Sequence, residues 1–262
     1  MPPDPAKVDL RDVDLHYFSA EGETEALRRV SLTVGAGEFV GIVGQSGCGK
    51  STLLSLIAGI LTPTAGEILI DGRRVEGTSP TCGYMLQQDY LFEWRTILEN
   101  ALIGPEIQGL PMDAARVRAE RLLRRYGLGD FLHHYPRQLS GGMRQRVALA
   151  RTLCTEPEIL LLDEPFSALD FQTRLALADE MSDILRREEK TAILVTHDIS
   201  EAVSMCDRVL VMSRRPGQIR TEHIISFPSR TARPSPFEAR NAPEFSGYFN
   251  DIWKELDVHV EG

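Results

Sequence analysis

The chain has 262 residues, 42% of them hydrophobic and 26% charged, with a formal net charge of −9. That is enough apolar material for a full α/β core and an ordinary composition for a water-soluble protein, while the acidic balance excludes a broad nucleic-acid-binding surface. No apolar run approaches a membrane span, the start Met1-Pro2-Pro3-Asp4 lacks a signal-peptide core, and Cys48, Cys82, Cys154 and Cys206 show no paired metal spacing. A cytosolic chain with free thiols is therefore expected.

The first apolar-alternating segment ends at Tyr17. The run Phe39-Val40-Gly41-Ile42-Val43 then reads as a strand, and it feeds directly into Gly44-Gln45-Ser46-Gly47-Cys48-Gly49-Lys50-Ser51-Thr52, which fits G-x-x-x-x-G-K-[ST]. Glycines let the backbone fold tightly so that successive N–H groups converge on an anion, and the positive end of a helix over residues 50–58 adds its dipole. Lys50 would reach the β- and γ-phosphates of a nucleotide, and the Ser51 hydroxyl would coordinate Mg²⁺. Cys48, inside such an N–H-rich nest, is expected to have a lowered pKa, and its alkylation to block ATP binding.

Further strands are expected at residues 68–70 and at Gly83-Tyr84-Met85-Leu86, which closes on Gln87 with Gln88 adjacent. Leu91-Phe92-Glu93-Trp94 follows, its aromatics open to two readings, docking anchors or core. Residues 96–102, 114–126 and 139–155 carry helical patterns with no convincing strand among them. Within the last, Leu139-Ser140-Gly141-Gly142-Met143 places Ser140 as N-cap of a helix with apolar and small positions Val147, Ala148, Leu149, Ala150 and Leu153. The N-terminus of that helix, bare of side chains at Gly141 and Gly142, is a second anion site.

Four apolar residues, Ile159-Leu160-Leu161-Leu162, end abruptly in Asp163-Glu164, which marks a strand buried on both faces. Asp163 at its end is placed to hold Mg²⁺ through water, and Glu164 to orient the water that attacks a γ-phosphate, so the expected site is hydrolytic. Ala192-Ile193-Leu194-Val195 repeats the buried pattern before Thr196-His197-Asp198, and residues 208–212 form one more strand candidate. After Ile225, Pro228, Pro234, Pro236 and Pro243 mark an extended connector that no regular element is expected to span. Phe245, Tyr248, Phe249, Ile252, Trp253 and Leu256 then follow one face of a helix, expected to pack on the chain's own domain.

The pentad ending in Met143, followed by Arg144-Gln145-Arg146 and set between the glycine-rich loop and Asp163-Glu164, resembles the signature of ATP-binding cassette (ABC) ATPases over about residues 8–226. The resemblance implies an α/β P-loop NTPase core with an antiparallel β subdomain and an inserted helical signature subdomain. The ATPase domain would cover 1–226, its core 1–87 and 155–226 and its insertion about 88–154, leaving 227–262 as connector and helix. It further implies that Tyr17 stacks on adenine and that Gln87, rather than Gln88, touches Mg²⁺ and water and senses a membrane partner. By the same resemblance Ser167-Ala168-Leu169-Asp170 contacts an opposite subunit, and His197 is the switch histidine on the γ-phosphate. The active unit would be a head-to-tail homodimer with two ATP molecules, each held by one loop and covered by Ser140, Gly141 and Gly142 of the other chain.

The resemblance also implies as partners two transmembrane permease subunits, one of whose short helices would enter a groove near Gln87, and an extracytoplasmic substrate-binding protein, and it would place the ATPase on the cytoplasmic face of the membrane. Residues 91–100, 163–170 and 196–202 and Arg215-Pro216-Gly217 are similar to ATPases of nitrate, sulfonate and taurine importers, with Glu93 standing where that branch usually carries proline. Relatives in the branch serve vitamin precursors, and export is the other direction left open. A nucleic-acid-acting or ribosomal ABC ATPase would carry long coiled coils or a second cassette, and a P-loop kinase would need neither pentad nor His197.

Overall fold

A computed structural model describes residues 6–19, 22–167, 169–230 and 233–256. The elements run β1 (Val8–Ser19), β2 (Gly22–Val34), β3 (Phe39–Val43), α1 (Lys50–Ile57), β4 (Ala65–Ile70), β5 (Arg73–Arg74) and β6 (Cys82–Met85). Next come α2 (Ile97–Ile107), α3 (Met112–Arg125), α4 (Gly141–Leu153), β7 (Ile159–Asp163), α5 (Phe171–Arg187) and β8 (Thr191–Thr196). The chain continues through α6 (Ile199–Met205), β9 (Arg208–Met212), β10 (Ile219–Ile224), α7 (Pro236–Arg240) and α8 (Phe245–Glu255). Packing divides it into two units, residues 1–79 with 178–262, and residues 80–177.

In the first unit, β2, β1, β4 and β5 form an antiparallel sheet in that order. Its inward residues along β1 are Val8, Leu10, Val13 and Leu15. Between Leu10 and Val13 the period of two slips by one, and the register shift there, with Asp12 at φ +44°, is a bulge that returns Val13 to the core. Beside this sheet β3 lies between β8 and β9, parallel to both, and β10 closes the edge antiparallel to β9. Every residue of β3 and β8 is buried, as the apolar runs 39–43 and 192–195 require, with Thr191 and Thr196 buried at the two ends of β8.

The proline-rich connector is not wholly extended. Residues Pro236–Arg240 form α7 because Ser235 accepts from the Glu238 N–H while Glu238 reaches back to the Ser235 N–H, a capping box with Pro236 at the first helical position. Proline there loses no hydrogen bond, so the composition that forbids a helix interior permits a helix start. Beyond it α8 packs on α6, with Ile252 fully buried and Trp253 half exposed.

In the second unit β6 and β7 pair in parallel, Met85 opposite Leu162. Between them in sequence the described elements are all helical, and α2, α3 and α4 pack on one another. The Thr96–Glu99 capping box starts α2, which continues to Ile107, past the end of the pattern over 96–102. Ser140 caps α4 as its sequence indicates, its hydroxyl accepting from the Met143 N–H at 3.3 Å.

Candidate functional site

Parallel pairing places the glycine-rich loop and His197 within the first unit. Val43, the last residue of β3, lies opposite Thr196 of β8 and Val211 of β9, so the glycine-rich loop, His197 and the turn after β9 all leave the carboxyl ends of neighbouring strands. Ligands of open α/β sheets bind at this edge. Gly49 enters α1 at φ +108°, and a Cβ there would lie 2.7 Å from Leu27 Cδ2, so only glycine permits the turn. Lys50 is buried and its ammonium donates to the carbonyls of Gly44 at 2.8 Å and Gln45 at 3.1 Å. Thr52 places its hydroxyl 3.3 Å from that of Tyr17, which brings the exposed Tyr17 ring to the start of α1.

His197 is exposed on a tightly held turn. The Thr196 hydroxyl donates to the buried Glu201 carboxylate at 2.7 Å and accepts from the Asp198 N–H at 3.0 Å. Asp198 in turn accepts from the N–H groups of Ser200 and Glu201, capping α6. Sequence reading missed Glu201, whose signal is a carboxylate four residues past a histidine on an otherwise apolar helix face.

Cys48 requires a correction. It lies in the loop, but it is fully enclosed with Sγ 4.0 Å from the Lys50 ammonium, and burial pushes the thiol above its ordinary pKa more than Lys50 draws it down. Burial penalises the thiolate because the anion loses its hydration. Cys48 should therefore react with iodoacetamide at neutral pH more slowly than the half-buried Cys82. Peptide mass spectrometry across a time course measures both rates, and equal or faster labelling of Cys48 would contradict the structure.

The second unit holds the acidic residues. Asp163 ends β7 and is buried, while Glu164 turns away at φ +47°, a left-handed conformation that costs energy for any residue with a Cβ and clusters at functional sites. Of the two candidate glutamines, Gln87 is the one whose Nε2 donates to Glu164 Oε2, at 3.0 Å. The chain after Gln87 is tied to α4: Arg144 Nε donates to Asp89 Oδ2 at 3.0 Å, and Arg151 donates to the carbonyls of Asp89 at 2.7 Å and Tyr90 at 2.9 Å. Gln87, Gln88, Asp89, Tyr90, Gly141, Arg144 and Gln145 line an open cleft of about 350 Å³.

A Cβ on Gly142 would lie 2.9 Å from Leu169 Cδ2, so this turn of α4 has no room for a side chain. In the Ser167–Asp170 segment Ala168 lies outside the described residues, Leu169 is buried, and Asp170 accepts from the Thr173 N–H at 3.0 Å. Trp94 is 72% exposed and its ring lies 4.8 Å from that of Phe92, so packing in the core does not account for it. The loop carrying both rings hangs on buried Asn100, which accepts from the Phe92 N–H and donates to the carbonyls of Phe92, Arg95 and Thr96. Asn100 stands out in sequence only as an amide inside an apolar helix face.

Among the described residues no helix is long and apolar enough to cross a membrane, and no three His, Cys, Asp or Glu side chains converge to hold a metal. Gln87 and Asp163, both in the second unit, and Ser51 in the first each carry a side-chain oxygen of the kind Mg²⁺ takes, since that ion keeps waters and phosphate oxygens in its shell and needs only one or two carboxylates.

Residues 27–167 match a family model described as ABC transporter. The chain is 48% identical to an uncharacterized ABC transporter ATP-binding protein of Bacillus subtilis, over 92% of each. It is 40% identical to a nitrate import ATP-binding protein of Synechocystis, over 94% of this chain and 93% of that one. With a taurine import ATP-binding protein of Burkholderia pseudomallei it shares 41% identity, over 92% and 93% respectively. Its structure is similar to a dimeric, post-hydrolysis ATP-binding cassette bound to ADP and Pi, with TM-score 0.76 and 33% identity, covering 84% of this chain and 99% of that one.

Proposed function

From the premise that this chain belongs to the ABC transporter family, as an ATP-binding ATPase subunit, we propose that it drives import of a small solute, of the nitrate, sulfonate or taurine anion class, through membrane permease subunits. The observation that carries this reading is the wiring of the segment after Gln87. Gln87 grips the Glu164 carboxylate, the following residues are pinned to α4 by Arg144 and Arg151, and the exposed Phe92–Trp94 pair lies a few residues further on. A partner helix seated on those aromatics would move the group next to the hydrolytic carboxylate and the start of α4 together. Near-full-length similarity to two import subunits supports the direction and the solute class.

In the chemistry that follows, backbone N–H groups of residues 44–52 receive the phosphates, and Lys50 exchanges the Gly44 and Gln45 carbonyls for phosphate oxygens. Mg²⁺, held by Ser51, Gln87 and Asp163, would neutralise developing phosphate charge. Tyr17 stacks on the base. Glu164 orients and deprotonates the attacking water while Gln87 sets the direction of its carboxylate, and His197 donates to the γ-phosphate. Ser140, Gly141 and Gly142 at the start of α4 close over the nucleotide of a second copy, giving a homodimer with two ATP sites.

Purification of a tagged chain from native membranes in mild detergent tests the reading. Two membrane-spanning subunits are expected to copurify, together with a substrate-binding protein whose ligand names the cargo. Recovery with ribosomes or DNA, or with permeases that export, would overturn import.

A further inference from the structure

We propose that α8 is a positioning element of the glycine-rich loop, acting through Gln45, an assignment that rests on residues 44–52 taking nucleotide phosphates. Both ends of the Gln45 amide are engaged. Its Oε1 accepts from Arg214 Nε at 2.9 Å, and its Nε2 donates to the carbonyl of Leu256 at 2.9 Å. The main-chain carbonyl of the same residue accepts from the Lys50 ammonium at 3.1 Å and the Cys48 N–H at 3.3 Å. Gln45 thus joins the loop's lysine to two segments that lie 169 and 211 residues away in sequence.

Both anchors are themselves fixed. The carbonyl of Leu256, at the C-terminal end of α8, is one of the groups a helix leaves without an internal partner, which frees it to accept from outside. Below it, Glu255 accepts from the Thr221 hydroxyl and pairs with His223 Nε2 at 2.8 Å, Ile252 is buried where α8 packs on α6, and the Tyr248 hydroxyl bonds Ser226. The Arg214 turn is closed by the Ser213 hydroxyl, which donates to the carbonyl of Pro216 and accepts from the Gln218 N–H, both at 2.9 Å. Gly217 in that turn packs directly against the Cys48 carbonyl of the loop, leaving no space for a Cβ.

A flexible loop loses conformational entropy when a ligand orders it, and contacts that order it beforehand remove part of that cost. The Arg214 and Leu256 bonds engage the loop through the Gln45 side-chain amide and not through the backbone N–H groups that would receive phosphate. Their effect should fall on ATP affinity and leave the chemical step alone.

The test is a cycle of four chains: native, ending at Glu255, Gln45→Ala, and both together, with a fluorescent ATP analogue as ligand. Ending the chain at Glu255 removes the Leu256 carbonyl and keeps the contacts of Glu255, Ile252 and Tyr248. It should weaken binding about threefold to tenfold, the worth of one hydrogen bond, with kcat unchanged. In the Gln45→Ala background the same truncation should cost nothing further.

Equal weakening in both backgrounds would mean that α8 acts by packing alone, and would overturn the proposal. So would unchanged affinity in full-length Gln45→Ala, which needs no truncated chain to fold. A Lys50→Ala control separates the two readings. If it binds ATP normally, the loop assignment itself falls; if it binds weakly while the truncation is silent, only the role of α8 is lost.

Discussion

Glu164→Gln is expected to lower ATP turnover about a hundredfold to a thousandfold, within the range that a positioned general base contributes, while leaving ATP bound and two chains associated. The substitution is isosteric. Gln87 Nε2 now donates to Glu164 Oε2, and an amide oxygen at that position accepts the same bond, so the strained turn and its neighbour keep their arrangement. What is lost is the negative charge that takes a proton from water. Gel filtration with ATP should show a dimer that persists through many native turnover times, and a phosphate-release assay should show the loss in kcat with little change in KM. Native hydrolysis rates in this variant would remove Glu164 from the mechanism. Glu164→Ala is the companion, since it abolishes both the base and the hold on Gln87. Loss of turnover in Ala but not in Gln would mean that the residue matters for placing Gln87.

Which parts of this molecule are legible in its sequence follows from how local their causes are. The glycine-rich loop is contiguous and its side-chain requirements are written in nine adjacent residues, so it stands out directly. The strands β3, β7 and β8 are buried on both faces and read as unbroken apolar runs. By contrast β2 mixes Glu23, Glu25, Arg28 and Arg29 with its inward residues, and β10 is an edge strand with an exposed face, so neither shows a clean period. Short α7 hides in a proline-rich stretch because only its first turn matters, and one capping box decides it.

The contacts that give the site its character are harder still to foresee. Gln87 and Glu164 are 77 residues apart, Asp89 and Arg144 are 55 apart, and no local pattern pairs them. The same limit applies to Cys48. Its position in an N–H-rich loop argues for a thiolate, but its pKa direction depends on enclosure, which is a property of the packed fold. Motif reading therefore finds the groups that meet a ligand, and only the fold shows which groups hold them.

Lys50→Ala should weaken ATP binding about tenfold to a hundredfold, the loss expected for one or two hydrogen bonds from a charged donor at roughly 1.5–3 kcal/mol together. The fold gives this variant a complication that the motif alone does not reveal. Lys50 is buried and holds the Gly44 and Gln45 carbonyls, so removing it also slackens the first peptide of the loop, and a weakened nucleotide site does not by itself identify a phosphate contact. Comparing ligands separates the effects. A direct contact to the β- and γ-phosphates predicts that the affinity gap between ATP and AMP narrows in Lys50→Ala, because AMP lacks both groups. A slackened loop predicts equal weakening of the two. Lys50→Arg sharpens the distinction, since it keeps a positive charge but replaces a compact ammonium by a planar fork that fits neither carbonyl in the same way. Partial recovery of ATP affinity there, without recovery of AMP affinity, would confirm that charge at the phosphates is what Lys50 supplies. Native ATP affinity and turnover in Lys50→Ala would refute the loop's role as the nucleotide site.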